Sequence, residues 1–226
     1  MSNRFKADRS FLEGGGELGA LTRAHDWERT ALGALEEWPE ALRSTLSLCL
    51  DSAFPIAIYW GPELVLLYND AWRPILGDKH PWALGRPARE VWPEIWDAID
   101  PVFAQVIASA KGAFNHDSLL AMKRFGYVEE CYFDYTFNPI RSGSAVEGIF
   151  NVVIETTYRV VAERRGRTQR DFAAKISLAK RAEEVVSLAA STLGGYAIDV
   201  PFALFYRVTG DGRAARLAHA VGVEPG

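Results

Sequence analysis

The sequence predicts an α+β protein: an antiparallel sheet with short helices on one side, then a long helix and the start of a second, partial α+β unit. Three observations carry this. Strand-like segments fall into two groups, 56–68 and 116–155, and within each group they are joined by short turns, which favours antiparallel pairing. Between the groups the chain becomes dense in Gly, Pro and Trp, with Pro81, Pro87 and Pro93 forbidding a long helix. After Glu155 the composition turns abruptly to Arg, Glu and Ala at helical spacing.

The 226 residues suit one large domain or a domain and a half, with 49% hydrophobic residues to build a core. A net charge of -4 and a pI near 5.6 give no reason to expect nucleic acid as a partner. No window reaches the ~20 apolar residues needed to span a bilayer, and the first residues do not read as a signal peptide, so a cytoplasmic protein is expected. Cys49 and Cys131 sit in apolar stretches and read as two buried free thiols.

Residues 1–50 read as a lead-in ending in an amphipathic helix. Gly14-Gly15-Gly16-Glu17-Leu18-Gly19 formally matches GxGxxG, but the segment before it is a poor buried strand. A flexible or turn-forming lead-in is therefore expected. Trp38-Pro39-Glu40 opens the helix, with Leu42, Leu46, Cys49 and Leu50 at helical spacing up to Asp51.

Residues 51–157 read as the sheet domain. Segments 56–60 and 64–68 form a hairpin around Gly61-Pro62. Asn69 or Asp70 can cap a short helix over 71–76. Pro101 opens a longer helix that Gly112 stops. From Phe114 the period is two: strands are predicted over 116–124, 129–140 and 149–155. In the second of these, Cys131, Phe133, Tyr135 and Phe137 share an apolar face.

The last strand runs almost without a loop into a helix over 158–193, with Glu155, Thr156 and Thr157 at the joint, where a threonine hydroxyl can accept from free helix N–H groups. Phe172, Ile176, Ala179, Val186 and Leu193 form a narrow seam of coiled-coil type. Gly166 weakens the helix by roughly 1 kcal/mol relative to Ala, so a bend is expected there. Arg164, Arg165, Arg167 and Arg170 read as a solvated basic face. The segment 196–226 then resembles a hairpin turning on Asp211-Gly212.

These residues resemble a family of bacterial PAS-domain sensor histidine kinases. The resemblance lies in the run 11–19, His25-Asp26-Trp27, Trp38-Pro39, Tyr59-Trp60-Gly61-Pro62-Glu63, Tyr68-Asn69-Asp70, Leu84-Gly85-Arg86-Pro87-Ala88 and Asn138-Pro139-Ile140, and covers about residues 11–160. Tyr158 departs from the family's pattern, which carries an acidic or polar residue there. The resemblance implies a PAS fold over 51–157, a signalling helix over 158–195 and, from Pro201-Phe202-Ala203-Leu204 and Gly222-Val223-Glu224-Pro225-Gly226, the start of a GAF domain over 196–226. It implies a sensory module of a two-component phosphorelay that acts as a homodimer through the helix 158–193 and passes a signal to an effector beyond the chain. A PAS input or dimerisation module for a diguanylate cyclase or a serine phosphatase is the alternative.

None of His25, His80, His116 and His219 lies in a phosphoacceptor-like helix, and no ATP lid follows, so the chain itself reads as non-catalytic. The resemblance implies a pocket between the sheet and the short helices, placed at Tyr59, Tyr68, Trp96, Phe103, Phe133 and Tyr135. It could take a small molecule, although core filling is the favoured reading of these six side chains. The cofactor is left unknown. No Cys falls in the 84–96 region, which argues against covalent flavin photochemistry; His116, the nearest haem-ligand candidate, reads as a surface residue, and no spacing suggests a metal site.

Overall fold

The computed structural model describes residues 10–223 and divides into two compact units after Thr157. The outer ends of the expected lead-in, 1–9, and of the expected second unit, 224–226, lie outside the described residues.

In the first unit the predicted strands form one antiparallel sheet: β1 (Ile56–Trp60), β2 (Val65–Tyr68), β3 (Ala113–Lys123), β4 (Val128–Ser142) and β5 (Ala145–Glu155), in the order β2-β1-β5-β4-β3. β5 is the central strand, opposing Tyr59 with Ile149 on one side and Tyr135 with Val153 on the other. That position explains its run of β-branched residues, which fit a pleat flanked on both sides. The free edge of β2 is covered by the segment 85–88: Leu66 N–H donates to Arg86 O at 2.9 Å, and Ala88 N–H to Leu64 O at 3.0 Å. Pairing of this kind removes an edge that would otherwise template association.

Helices lie on both faces of the sheet, where one face was expected. α1 (Gly16–Ala24), α2 (Glu40–Asp51), α3 (Arg73–Leu76), α4 (Ala88–Val91) and α5 (Trp96–Ser109) complete the unit. Every residue of β1 and β2 is buried. Side chains alternate across a strand, so both faces there must be covered. Phe103 of α5 packs its ring 4.9 Å from that of Tyr59, and the lead-in residues Leu12, Leu18, Trp27, Trp38, Leu42 and Leu46 join the same core.

The lead-in is thus structural rather than flexible over its described part. Gly14, Gly15 and Gly16 all have positive φ (83°, 69° and 56°), which places the start of α1 over Asp70. The Asp70 carboxylate accepts from Glu17 N–H at 3.0 Å and Leu18 N–H at 2.8 Å, 52 residues away in the latter case. A carboxylate from a distant segment therefore occupies the anion position at the helix N-terminus, a contact contributing about 1 kcal/mol. A Cβ on Gly16 would come within 2.0 Å of Asp70 Oδ2, and one on Gly19 within 2.1 Å of Gly14 O. The glycine pattern serves close packing, not a phosphate.

Asp70 therefore caps α1 and not the short helix that follows it. Asn69 is engaged elsewhere too: its side chain accepts from Ile56 N–H at 3.1 Å and donates to Phe54 O at 2.7 Å and Ser52 O at 3.0 Å, closing the loop between α2 and β1. α5 starts at Trp96, five residues before the expected opening, and Pro101 lies inside it. It ends at Ser109 on Ala110, which takes the left-handed conformation expected of Gly112.

The second unit begins within the expected long helix, which is two helices, α6 (Thr157–Ile176) and α7 (Ala182–Leu193). Gly166 lies inside α6; the break falls at 177–181. There Ser177 Oγ donates back to Ala174 O at 2.7 Å and Lys180 N–H turns to Glu184 Oε2 at 2.8 Å. Local bonds of this kind compete with the helical ladder. The expected seam is split accordingly, with Phe172 and Ile176 on α6, Val186 and Leu193 on α7, and Ala179 in the break. The basic cluster is only partly a solvated face: Asp199 accepts from Arg164 Nε at 2.7 Å and Arg165 Nε at 3.3 Å, and the Tyr196 hydroxyl donates to Asp171. The Arg164 bond, foremost, holds the Asp199 carboxyl below its usual range. β6 (Ala203–Val208) and β7 (Ala215–Val221) form the expected antiparallel hairpin, with Gly212 at φ 70° in its turn.

Candidate functional site: a buried cavity and the strand–helix junction

Between the sheet and the short helices lies a cavity of about 40 Å³ whose lining residues are all buried. On this measure a water-sized occupant needs ~10–15 Å³, so there is room for roughly three. β4 and β5 contribute Phe133, Tyr135, Phe137, Asn151 and Val153 through strict alternation; β3 contributes Leu120 and Met122; β1 contributes Tyr59. The opposite wall is Trp72, Ile75, Trp92, Ile95 and Ile99, from the turns and helices between the two strand groups.

Of the six residues expected to form a pocket, Tyr59, Phe133 and Tyr135 line this cavity, and Tyr68, Trp96 and Phe103 do not. Phe103 fills the core beside it, its ring 4.4 Å from Phe137 and 6.1 Å from Trp96. Tyr68 turns its hydroxyl to His80 Nδ1 at 2.9 Å, and His80 Nε2 in turn meets Glu17 Oε1 at 3.2 Å. Trp96 lies under the Arg89 guanidinium, 5.8 Å from its ring centre.

The wall is electrically quiet. Burial pushes the Tyr59 and Tyr135 phenols up, so both are neutral at any physiological pH. Trp92 is fixed from outside by Lys79, whose Nζ stands 4.5 Å over its ring while bonding to Val91 O at 2.7 Å and Glu94 Oε1 at 2.5 Å. No cysteine lines the cavity. Cys49 and Cys131 are buried free thiols elsewhere, and burial pushes Cys131 up to about 11. His116 is also outside it, held by Asp134 at 2.8 Å and Asp117 at 3.2 Å on the β3–β4 ladder.

The junction residues bond to β3, to β4 and to the turn between them. The Glu155 carboxylate receives Arg124 Nη1 at 2.8 Å, and the same guanidinium holds Glu129 Oε2 at 3.0 Å and Cys131 Sγ at 3.2 Å. Burial opposes the Arg124 charge, but the Glu155 and Glu129 hydrogen bonds outweigh it and raise its pKa. Thr156 N–H donates to Tyr132 O at 2.7 Å, and its hydroxyl to Asp117 Oδ1 at 2.7 Å. Thr157 Oγ1 accepts from Tyr132 N–H at 2.9 Å and donates to Glu155 Oε1 at 2.8 Å. The two threonine hydroxyls thus reach across to β3 and β4.

Arg124 also joins the junction to the cavity wall. Its Nη1 lies 3.4 Å from Pro74 O, between the wall residues Trp72 and Ile75, and its own carbonyl accepts Asp78 N–H at 2.8 Å. Gly77 is pressed against it: a Cβ there would come within 2.6 Å of Arg124 O. Sequence reasoning missed Arg124. Its signal was an arginine placed at the end of a strand whose preceding residues alternate, with Glu129 across the turn. Trp72 and Trp92 were missed because neither belongs to a periodic segment.

No protein-family model matches the chain, and no curated protein matches it. Among solved structures it is similar to a sensory box sensor histidine kinase from Vibrio cholerae, at 18% identity over 50% of this chain and 88% of that one, with a TM-score of 0.34. It is also similar to a LOV protein of Rhodobacter sphaeroides, at 14% identity over 71% of this chain and 97% of that one, with a TM-score of 0.44. A third is the LOV domain of a blue-light activated histidine kinase from Erythrobacter litoralis EL346, at 14% identity over 47% and 98%, with a TM-score of 0.38. The α+β class rests on the sheet order itself rather than on these likenesses. No helix among the described residues is long and apolar enough to cross a membrane.

Proposed function

We propose that the first unit is a PAS-type sensory module that converts a change at its buried cavity into a change at the Glu155-Thr156-Thr157 junction. The observation that carries this is Arg124, which bonds at once to the cavity-wall segment at Pro74 O and to the junction carboxylate of Glu155. A side chain with both attachments cannot follow one without loading the other. The module is non-catalytic and cytoplasmic in this reading, and serves a sensor histidine kinase of a two-component phosphorelay. The second unit opens a GAF-like domain, which is supported by the exposed apolar residues Leu204, Tyr206, Val208 and Leu217 on its hairpin. α7 packs against this hairpin, and the apolar side chains that stay exposed on it form a patch suited to further contacts. The absence of any cysteine in the cavity wall, and its volume, support a module without covalent flavin chemistry.

Ile99→Phe, which fills the cavity from α5, tests the coupling. Amide exchange at Tyr132, Thr156 and Thr157 is expected to change relative to wild type, and unchanged exchange there would remove the sensory reading. The module acts as a homodimer through α6, whose apolar residues Phe172 and Ile176 survive from the expected seam on one helix. Light scattering is expected to give a dimer for the full chain and a monomer, or a weaker dimer, for a chain ending at Val160. An unchanged dimer would move the interface to the first unit.

A further inference from the structure

We propose that His116, Asp117 and Asp134 form a binding site for a divalent transition metal ion of the zinc class, on the β3–β4 ladder beside the strand–helix junction. The site stands on its own geometry and does not depend on the sensory reading. His116 and Asp117 are consecutive, and consecutive side chains of a regular strand point to opposite faces. Here the pairing of β3 with β4 shifts between Asn115 and Ser118, so both residues oppose the single residue Asp134, and Asp117 takes φ 45°. A bulge of this kind re-aims a side chain. The imidazole consequently lies between two carboxylates, with Nδ1 2.8 Å from Asp134 Oδ1 and Nε2 3.2 Å from Asp117 Oδ2. One nitrogen of His116 and one oxygen from each carboxylate lie within 4.8 Å of one another.

The donor set selects the ion. A neutral imidazole has one N–H and one lone pair, so between two carboxylates it answers one as a donor and turns its lone pair to the other. A metal ion takes up that lone pair and neutralises both carboxylates. Imidazole with carboxylate suits zinc and its neighbours, whereas magnesium and calcium take oxygen ligands. Each carboxylate is also steadied by one oxygen: Asp117 Oδ1 accepts the Thr156 hydroxyl at 2.7 Å, and Asp134 Oδ1 accepts Asp117 N–H at 2.8 Å. Outer bonds of this kind orient ligating carboxylates. Bonds of about 2.0–2.2 Å to a tetrahedral ion put neighbouring donors roughly 3.3–3.6 Å apart. The two close pairs already stand near that spacing, and the His116 side chain, 61% exposed, can turn to bring the third donor in and leave the fourth position to water. Thr156 belongs to the junction, so an ion here holds the acceptor of a junction hydroxyl.

Calorimetric titration of the full chain with zinc chloride, after treatment with a chelator, tests the site. A single zinc ion is expected to bind saturably and to shift the ring resonances of His116, with magnesium and calcium binding far more weakly. His116→Ala is expected to weaken zinc more than about a hundredfold, and Thr156→Val, which removes only the outer bond to Asp117, about tenfold. Asp117→Asn keeps a residue that tolerates positive φ, so it is expected to weaken zinc with the fold intact. No saturable zinc binding, zinc binding unchanged in His116→Ala, or magnesium binding as tightly as zinc would each overturn the proposal. The wild type alone decides it if a variant fails to fold: His116 ring resonances that stay unmoved at saturating zinc would rule the site out.

Discussion

Arg124→Met is expected to lower the stability of the first unit by about 2–3 kcal/mol, read as a shift in the urea midpoint at constant slope. The guanidinium is buried and answers two carboxylates, Glu129 and Glu155, whose side chains are 17% and 33% exposed. Removing it leaves two like charges facing each other with no cation between them. A fully buried pair broken this way costs about 3–5 kcal/mol; the partial exposure of Glu155 lets water screen the remaining charges and reduces the figure. The variant also frees Pro74 O and loosens Glu155 beside Thr157, so lost stability and a slack junction should appear together. Removing all three charges at once, by adding Glu129→Leu and Glu155→Leu, is expected to cost less than removing the arginine alone. If the single variant is the milder one, Arg124 is a surface ion pair and no hub.

Phe103→Ala is expected to cost about 3–5 kcal/mol, the range for removing a fully buried phenylalanine. The ring is wholly buried and sits among Tyr59, Phe137 and Trp96, with centroids 4.9, 4.4 and 6.1 Å away. Tyr59 and Phe137 also line the cavity, so the space vacated adjoins it and the two voids can merge. The cost grows with the volume left unfilled, and urea unfolding measures it. A second result follows from the merger: the variant is expected to take up larger apolar probes, such as benzene, that the wild type rejects. A loss under 1 kcal/mol would mean that the neighbouring rings collapse into the gap.

The sheet was legible in the sequence because alternation is a strong local signal. Phe133, Tyr135 and Phe137 could be placed on one buried face from spacing alone. The β-branched run of β5 marked a strand over 149–155, whereas its place between β1 and β4 depends on pairing with distant segments that its own residues do not specify. The lead-in was not legible, because its order depends on Asp70 reaching α1 from a segment more than fifty residues away. No property of Gly14-Gly15-Gly16 read by itself reveals what will cap the helix after it. The cavity was half legible for the same reason. Its strand wall is periodic, whereas Trp72 and Trp92 come from a stretch where prolines and tight turns, not a period, set side-chain direction. The break between α6 and α7 depended on Ser177 and Glu184 making local bonds, a choice that apolar spacing does not register.

If Arg124 joins cavity and junction, amide exchange at Tyr132 reports it. Tyr132 N–H is held by Thr157 Oγ1 at 2.9 Å, so its protection reports how firmly the junction is tied to β4. The measurement compares Ile99→Phe with wild type twice, once with Arg124 present and once with Arg124→Met. Filling the cavity is expected to change Tyr132 exchange when Arg124 is present and to have little or no effect when it is absent. An equal response in both backgrounds, or none in either, would contradict it.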